Sequence, residues 1–107
     1  NAMSIREDGN VDLKKSVSTS NILTKTSAYT TTATDCVIVL NKSTADTLTL
    51  HTATGSGQHL YIRNKGIGTW TIDANSTETI NEELTQSLIG GDSIHIIDEA
   101  SGIWGVY

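Results

Sequence analysis

The sequence predicts a small all-β domain. Threonine and serine make up 28 of the 107 residues, while proline and phenylalanine are absent. Threonine and isoleucine are β-branched and favour extended strands. From residue 28 onward, strand-like runs recur every roughly 8 to 12 residues, the spacing typical of a β-sandwich or barrel. A chain of 107 residues holds one hydrophobic core rather than two.

The N-terminal residues differ from the rest of the chain. Residues 1–3 look like a cleaved-tag remnant, Asn1 and Ala2, followed by a start methionine, Met3. They are therefore not counted with the arm or the domain. Residues 4–27 are polar and show no heptad period. They are predicted to form an extended arm with one short strand at 11–17. Such an arm buries little apolar area alone, so it is expected to lie on the domain at 28–107 or on a neighbouring subunit.

Nine strands are predicted within residues 28–107, separated by turns rich in glycine, asparagine, serine and aspartate. They cover residues 29–34, 36–40, 47–51, 59–63, 70–73, 79–80, 84–88, 93–98 and 103–107. The last two are expected to close the domain as a hairpin over residues 99–102.

Alternation along the strands predicts which side chains face the core. In residues 59–63, Leu60 and Ile62 point inward, while His59, Tyr61 and Arg63 point outward. The outward row combines an aromatic face with a guanidinium, which can stack on a sugar and hydrogen-bond its hydroxyls. These three residues are the predicted ligand-binding residues.

Other outward apolar residues indicate that part of the surface is covered. Ile97 shares an outward face with His95, and Ile67 and Ile103 are expected to be partly exposed in a lone domain. A thin core and unpaired sheet edges favour association. The sequence therefore predicts an oligomer, although scattered surface isoleucine is also normal.

Composition and charge exclude several classes of protein. The net charge of −5 argues against a broad nucleic-acid-binding surface. No apolar run approaches the ~18 residues of a membrane span, and no signal peptide is recognisable. The single cysteine, Cys36, forms no internal disulfide and is compatible with assembly in a reducing cytoplasm.

The sequence does not predict an enzyme, a metal site or a cofactor. The histidines lack the close spacing of metal ligands, and Cys36 before a Val-Ile-Val run fits a small core residue. Paired carboxylates would suit glycoside hydrolysis, but the acidic residues are expected to be solvated in turns. These acidic residues are Asp73, Glu78, Glu82, Glu83, Asp98 and Glu99.

Residues 29–107 resemble the small β head domain of bacteriophage tail fibres, tail needles and tail spikes. The resemblance rests on the order and spacing of several short segments rather than on one motif. These segments are residues 35–40, 48–50, 57–64, 68–73, 77–81, 91–94 and 103–107.

The resemblance implies a jelly-roll-like antiparallel sandwich that assembles as a homotrimer. It implies a virion structural or adhesion role without a cofactor, but the fold alone does not transfer a ligand. We expect a head that caps a tail fibre or needle and contacts the host surface, with a glycan or other tail proteins as partners. A long trimeric coiled coil or β-spiral usually precedes such a head, whereas here only the short arm does. Alternatives are a monomeric carbohydrate-binding module, a passive virion component without a ligand, and a small polysaccharide-degrading domain.

Overall fold

The computed structural model describes residues 22–107, which form ten strands. This part of the chain contains no helix, and accordingly none that could cross a membrane. The all-β prediction is confirmed. The strands are β1 (Ile22–Lys25), β2 (Tyr29–Thr30), β3 (Val37–Leu40), β4 (Asp46–Thr49), β5 (His59–Asn64), β6 (Trp70–Asp73), β7 (Thr79–Ile80), β8 (Thr85–Leu88), β9 (Ser93–Ala100) and β10 (Ile103–Val106).

The strands form two sheets between which the chain alternates as far as β9. The large sheet has the order β1-β3-β5-β9-β10-β7 and the small sheet β2-β4-β6-β8. Within each sheet the first three strands pair in parallel. The strands β3 and β4 form one winding of the chain, and β5 and β6 form the next. Equivalent positions in these two windings lie 24 residues apart: Val37 pairs with Tyr61, and Asp46 with Trp70. Residues 22–73 therefore wind as a flattened parallel coil.

Three of the C-terminal strands close this coil in antiparallel pairs, while β7 pairs in parallel with β10 at the edge of the large sheet. β8 pairs antiparallel with β6, β9 with β5, and β10 with β9, as the predicted closing hairpin requires. The expectation of a purely antiparallel sandwich is wrong, because the sheets are mixed. Inward and outward side chains alternate with period 2 in both kinds of pairing, so the sequence pattern did not distinguish them. This strand order does not confirm a jelly roll.

The loops of successive turns stack closely at one end of the coil. The N–H of Gly68 donates a 3.0 Å hydrogen bond to the carbonyl of Lys42. A Cβ atom at Gly68 would collide with the backbone of Thr44. Glycine is therefore required here by the approach of one loop to the next.

The core lies between the two sheets and is aliphatic apart from two indoles. Alternation is confirmed on β5, where Leu60 and Ile62 are buried, and on β6, where Trp70 and Ile72 are buried. Trp104 of β10 is also buried. The core residues are Ile38, Leu40, Leu48, Leu50, Ala53, Leu60, Ile62, Trp70, Ile72, Ala74, Ile80, Leu88, Ile96 and Trp104.

The end of the predicted arm is part of the large sheet. β1 pairs in parallel with β3 and forms one edge, where Ile22 is 71% exposed. The strand predicted at residues 11–17 lies outside the described residues. The division of the chain into an arm at 4–27 and a head at 28–107 stays a prediction.

Candidate functional site

The predicted row of His59, Tyr61 and Arg63 lies on the outer face of β5. All three side chains are exposed, whereas Leu60 and Ile62 between them are buried. β5 pairs with β3 on one side and with β9 on the other. The row therefore lies near the middle of the large sheet, on the face turned away from the core.

His95 of β9 and Tyr107, which follows β10, extend this row into a cluster of rings. Tyr61 faces His95 of β9, and their rings stack at 4.1 Å between centroids with planes only 12° apart. His59 stacks on His95 at 5.0 Å, and the Tyr107 ring lies 6.4 Å from that of His95. We call His59, Tyr61, His95 and Tyr107 the aromatic cluster.

The two histidines of the cluster are hydrogen-bonded to each other. His59 Nδ1 and His95 Nε2 lie 2.9 Å apart, and the Tyr61 hydroxyl is 3.4 Å from the same His59 nitrogen. A hydrogen bond between two ring nitrogens needs an N–H on one and a lone pair on the other. At least one of the two histidines therefore presents an unprotonated nitrogen to its partner.

A groove of about 160 Å³ lies beside the cluster, between β3, β5 and β9. Val37, Tyr61 and His95 line it and stand in register across the three strands. Arg63 and Ser93 form the next register pair and also line the groove. The groove thus combines apolar and aromatic surface with a guanidinium and a hydroxyl.

Tyr107 is held at the cluster by the closing hairpin. Its N–H donates to the His95 carbonyl at 2.8 Å, and its hydroxyl donates to Glu99 Oε1 at 2.7 Å. This hydrogen bond, partial burial and the Glu99 charge together raise the pKa of Tyr107 above its usual value. Gly105 leaves the necessary space, because a Cβ there would collide with the Glu99 carboxylate and the Tyr107 ring.

His95 and Tyr107 were not among the predicted site residues. The available signal was the outward pairing of His95 with Ile97, which indicated that this face meets a partner. The sequence pattern does not show which residue of β9 lies opposite Tyr61 of β5, and in the structure that residue is His95. Nothing in the strand period alone pointed to the contact between Tyr107 and His95.

The third histidine lies away from the aromatic cluster, at the edge of the core. His51 Nδ1 is 2.6 Å from the Thr31 hydroxyl, and its Nε2 is 2.8 Å from Gln58 Oε1. Its ring meets the buried ring of Trp104 edge-on at 5.3 Å. Cys36 is half-buried just before β3. Within residues 22–107, no group of three or more His, Cys, Asp or Glu side chains could hold a metal ion.

Asp98 anchors a loop. Its carboxylate is 1% exposed and accepts hydrogen bonds from the N–H groups of Thr54 and Gly55 and from the Ser56 hydroxyl. Burial raises its pKa, but these hydrogen bonds outweigh burial and hold the pKa below its usual value. The expectation of a solvated turn acid is wrong here, because β9 continues through Asp98 and turns it inward with Ile96.

Comparison of the chain with protein-family models, with curated proteins and with solved structures finds no match in any of the three. The resemblance of residues 29–107 to phage tail heads accordingly stays a prediction.

Proposed function

We propose that this chain is a binding head whose aromatic cluster and groove hold a glycan on a host cell surface. The stack of Tyr61 on His95 beside Arg63 carries this proposal. We extend it to a phage or prophage virion, as the head of a tail fibre or needle, on the sequence resemblance. The parallel turns of residues 22–73 differ from a jelly roll, so topology contributes no support.

The chemistry of the face suits a sugar. Tyr61 is 44% exposed, so one side of a ring already held against His95 is free to receive the C–H face of a pyranose. Arg63 and Ser93 can then hydrogen-bond hydroxyls or an acidic substituent along the groove. Stacking within the cluster holds the rings before the ligand arrives, which lowers the entropic cost of binding.

The proposed function is binding without catalysis. Glycoside hydrolysis uses two carboxyl groups across one sugar bond. The buried carboxylate of Asp98 is occupied by donors from its own loop, and Glu99 accepts from the Tyr107 hydroxyl. Both carboxylates therefore have structural partners.

Assembly as a homotrimer completes the proposal. Ile22, Ile67 and Ile103 are 71%, 81% and 41% exposed, which supplies apolar surface for contact between copies. Three copies of a weak sugar site on one axis gain affinity by avidity without any new contact.

Two measurements test the proposal. Light scattering at micromolar protein should report a trimer, and a glycan array of the intact assembly should report binding.

Replacing Tyr61 with alanine should weaken each site about 2- to 10-fold, the contribution of one aromatic stack. Leu84→Ala is the matched control, because Leu84 is 56% exposed and lies outside the cluster. Equal binding by wild type and Tyr61→Ala would refute the assigned face, and a monomer that binds would identify a carbohydrate-binding module instead.

A second candidate is a passive virion component that uses the same face as a subunit interface. The observation in its favour is the apolar row of Ile22, Val37 and Tyr61, in register across three strands. In that case Tyr61→Ala should lower the association constant of the oligomer, and no glycan should bind.

A further inference from the structure

We propose that His59 and His95 form a two-histidine site for a divalent transition-metal ion, with Cu²⁺ or Ni²⁺ preferred over Zn²⁺. The proposal concerns the metal alone and stands apart from the glycan proposal. It rests on the separation of two ring nitrogens and on the way the sheet holds the rings.

The nitrogen separation matches adjacent positions around one metal ion. His59 Nδ1 and His95 Nε2 lie 2.9 Å apart. Metal–imidazole bonds are about 2.0 Å long, so two ligands at a right angle have nitrogens about 2.9 Å apart. A tetrahedral ion would need about 3.3 Å. The observed distance is set by the hydrogen bond, and it leaves the two nitrogens close to the spacing of adjacent positions around Cu²⁺ or Ni²⁺ in square-planar or octahedral geometry. Cu²⁺ also binds nitrogen ligands more tightly than the other divalent first-row ions.

The two histidines stand on paired strands that fix their spacing. His59 of β5 lies opposite Ile97, and His95 of β9 lies opposite Tyr61, so the histidines are diagonal neighbours on one face. Their ring planes are 26° apart, and Tyr61 stacks on His95 from within the same cluster. To direct both nitrogens toward one ion at a right angle, each ring must rotate by about 45° away from the line that joins the two nitrogens, which breaks the hydrogen bond between them.

The hydrogen bond between the two rings can also be exchanged for two bonds to one metal ion. The hydrogen bond between the rings requires a lone pair on one nitrogen and a proton on the other. When an ion binds, the proton of the donating nitrogen moves through solvent to the other nitrogen of the same ring, so both histidines ligate as neutral imidazoles. His59 is exposed, so water or a ligand from a second molecule can fill the remaining coordination positions.

The other described histidine provides an internal comparison. Both ring nitrogens of His51 already have hydrogen-bond partners, Thr31 and Gln58. Its ring lies against the buried Trp104. His51 is therefore not expected to contribute to binding at the cluster.

Titration calorimetry with Cu²⁺, Ni²⁺ and Zn²⁺ as the only added ligands tests the site. We expect one ion per chain, bound most tightly for Cu²⁺ and more tightly for Ni²⁺ than for Zn²⁺. His59→Gln and His95→Gln should each weaken Cu²⁺ binding at least about tenfold, since even outer-shell changes cost that much. His51→Gln should leave the affinity unchanged.

Spectroscopy on the wild-type protein avoids reliance on variants that fold poorly. Electron paramagnetic resonance of the Cu²⁺ complex should show coupling to imidazole nitrogens, and Zn²⁺ should shift the ring signals of His59 and His95 but not those of His51. Full-strength Cu²⁺ binding by both cluster variants, or shifts confined to His51, would overturn the proposal. So would the absence of binding by any of the three ions. Glycan binding without metal binding would refute this inference while leaving the proposed function intact.

Discussion

Replacing Asn64 with alanine should lower the free energy of unfolding by about 3 kcal/mol. Asn64 is fully buried at the end of β5. Its amide donates to the carbonyls of Gly68 and Leu88, both at 2.8 Å, and its Oδ1 accepts from the Gly66 N–H at 3.2 Å. One side chain thereby joins the large sheet, its following turn and β8 of the small sheet. Each of the three hydrogen bonds contributes about 1 kcal/mol, and the carbonyls of Gly68 and Leu88 lose this donor in buried positions.

Urea unfolding followed by tryptophan fluorescence measures this change, because Trp70 and Trp104 are both buried. For a domain of this size, a loss of about 3 kcal/mol corresponds to a fall in Tm of roughly 10 to 20 °C. Asn41→Ala is the matched control, since Asn41 is exposed in the loop after β3. It should change the stability by less than about 0.5 kcal/mol.

Asn64→Leu separates hydrogen bonding from volume. Leucine has the same branched arrangement of side-chain heavy atoms as asparagine, with bulkier methyl groups, so it opens no cavity beside its parallel partner Leu40, yet it leaves the carbonyls of Gly68 and Leu88 without this donor. We expect it to be destabilising as well. A loss below about 1 kcal/mol in both Asn64 variants, or an equal loss in the Asn41 control, would refute the assigned role.

Three further predictions concern other residues. Because the folded pKa of Asp98 is lowered, its contribution to stability is complete above the unfolded pKa and is lost as the pH falls through the folded pKa. Asp98→Asn should therefore lower Tm at pH 7 and flatten the fall of Tm below about pH 4, the usual pKa of aspartate, and an unchanged profile would contradict this. Gly68→Val should prevent soluble folding, because the valine side chain would overlap the backbone of Thr44 in the preceding loop. A native circular dichroism spectrum would contradict this. Glu99→Gln should lower the pKa of Tyr107 toward its usual value, as followed by NMR of the tyrosine rings, and an unmoved titration would show that the hydrogen bond is absent in solution.

Local strand positions were predictable because burial in a sheet follows period 2. Residues 70–73 and 79–80 match β6 and β7, and the other strands after residue 28 lie within a few residues of their predicted bounds, whereas β1 at Ile22–Lys25 was not predicted. Sheet topology was not predictable in the same way. Apolar residues alternate equally in parallel and antiparallel strands, so the sequence pattern did not show that β3 pairs with β5 across 24 residues.

The candidate site was partly predictable for the same reason. Outward placement of His59, Tyr61 and Arg63 needed only the alternation within one strand, and it is confirmed. Joining them to His95 needed the register between β5 and β9. Asp98 shows the opposite case: its alternation with Ile96 indicated an inward side chain, but its charge favoured a solvated turn. Donors from loop 54–56 resolve that conflict by replacing water around the carboxylate.

The polar groups that stabilise the fold and those proposed to bind lie on opposite faces of the large sheet. Asn64 and Asp98 point inward from β5 and β9, whereas Tyr61 and His95 point outward from the same two strands. Adjacent residues of a strand face opposite sides, so a substitution on one face leaves the side chains of the other in place. Outer-face variants should therefore change glycan or metal binding with little change in Tm. Inner-face variants should lower Tm while the folded fraction keeps its affinity.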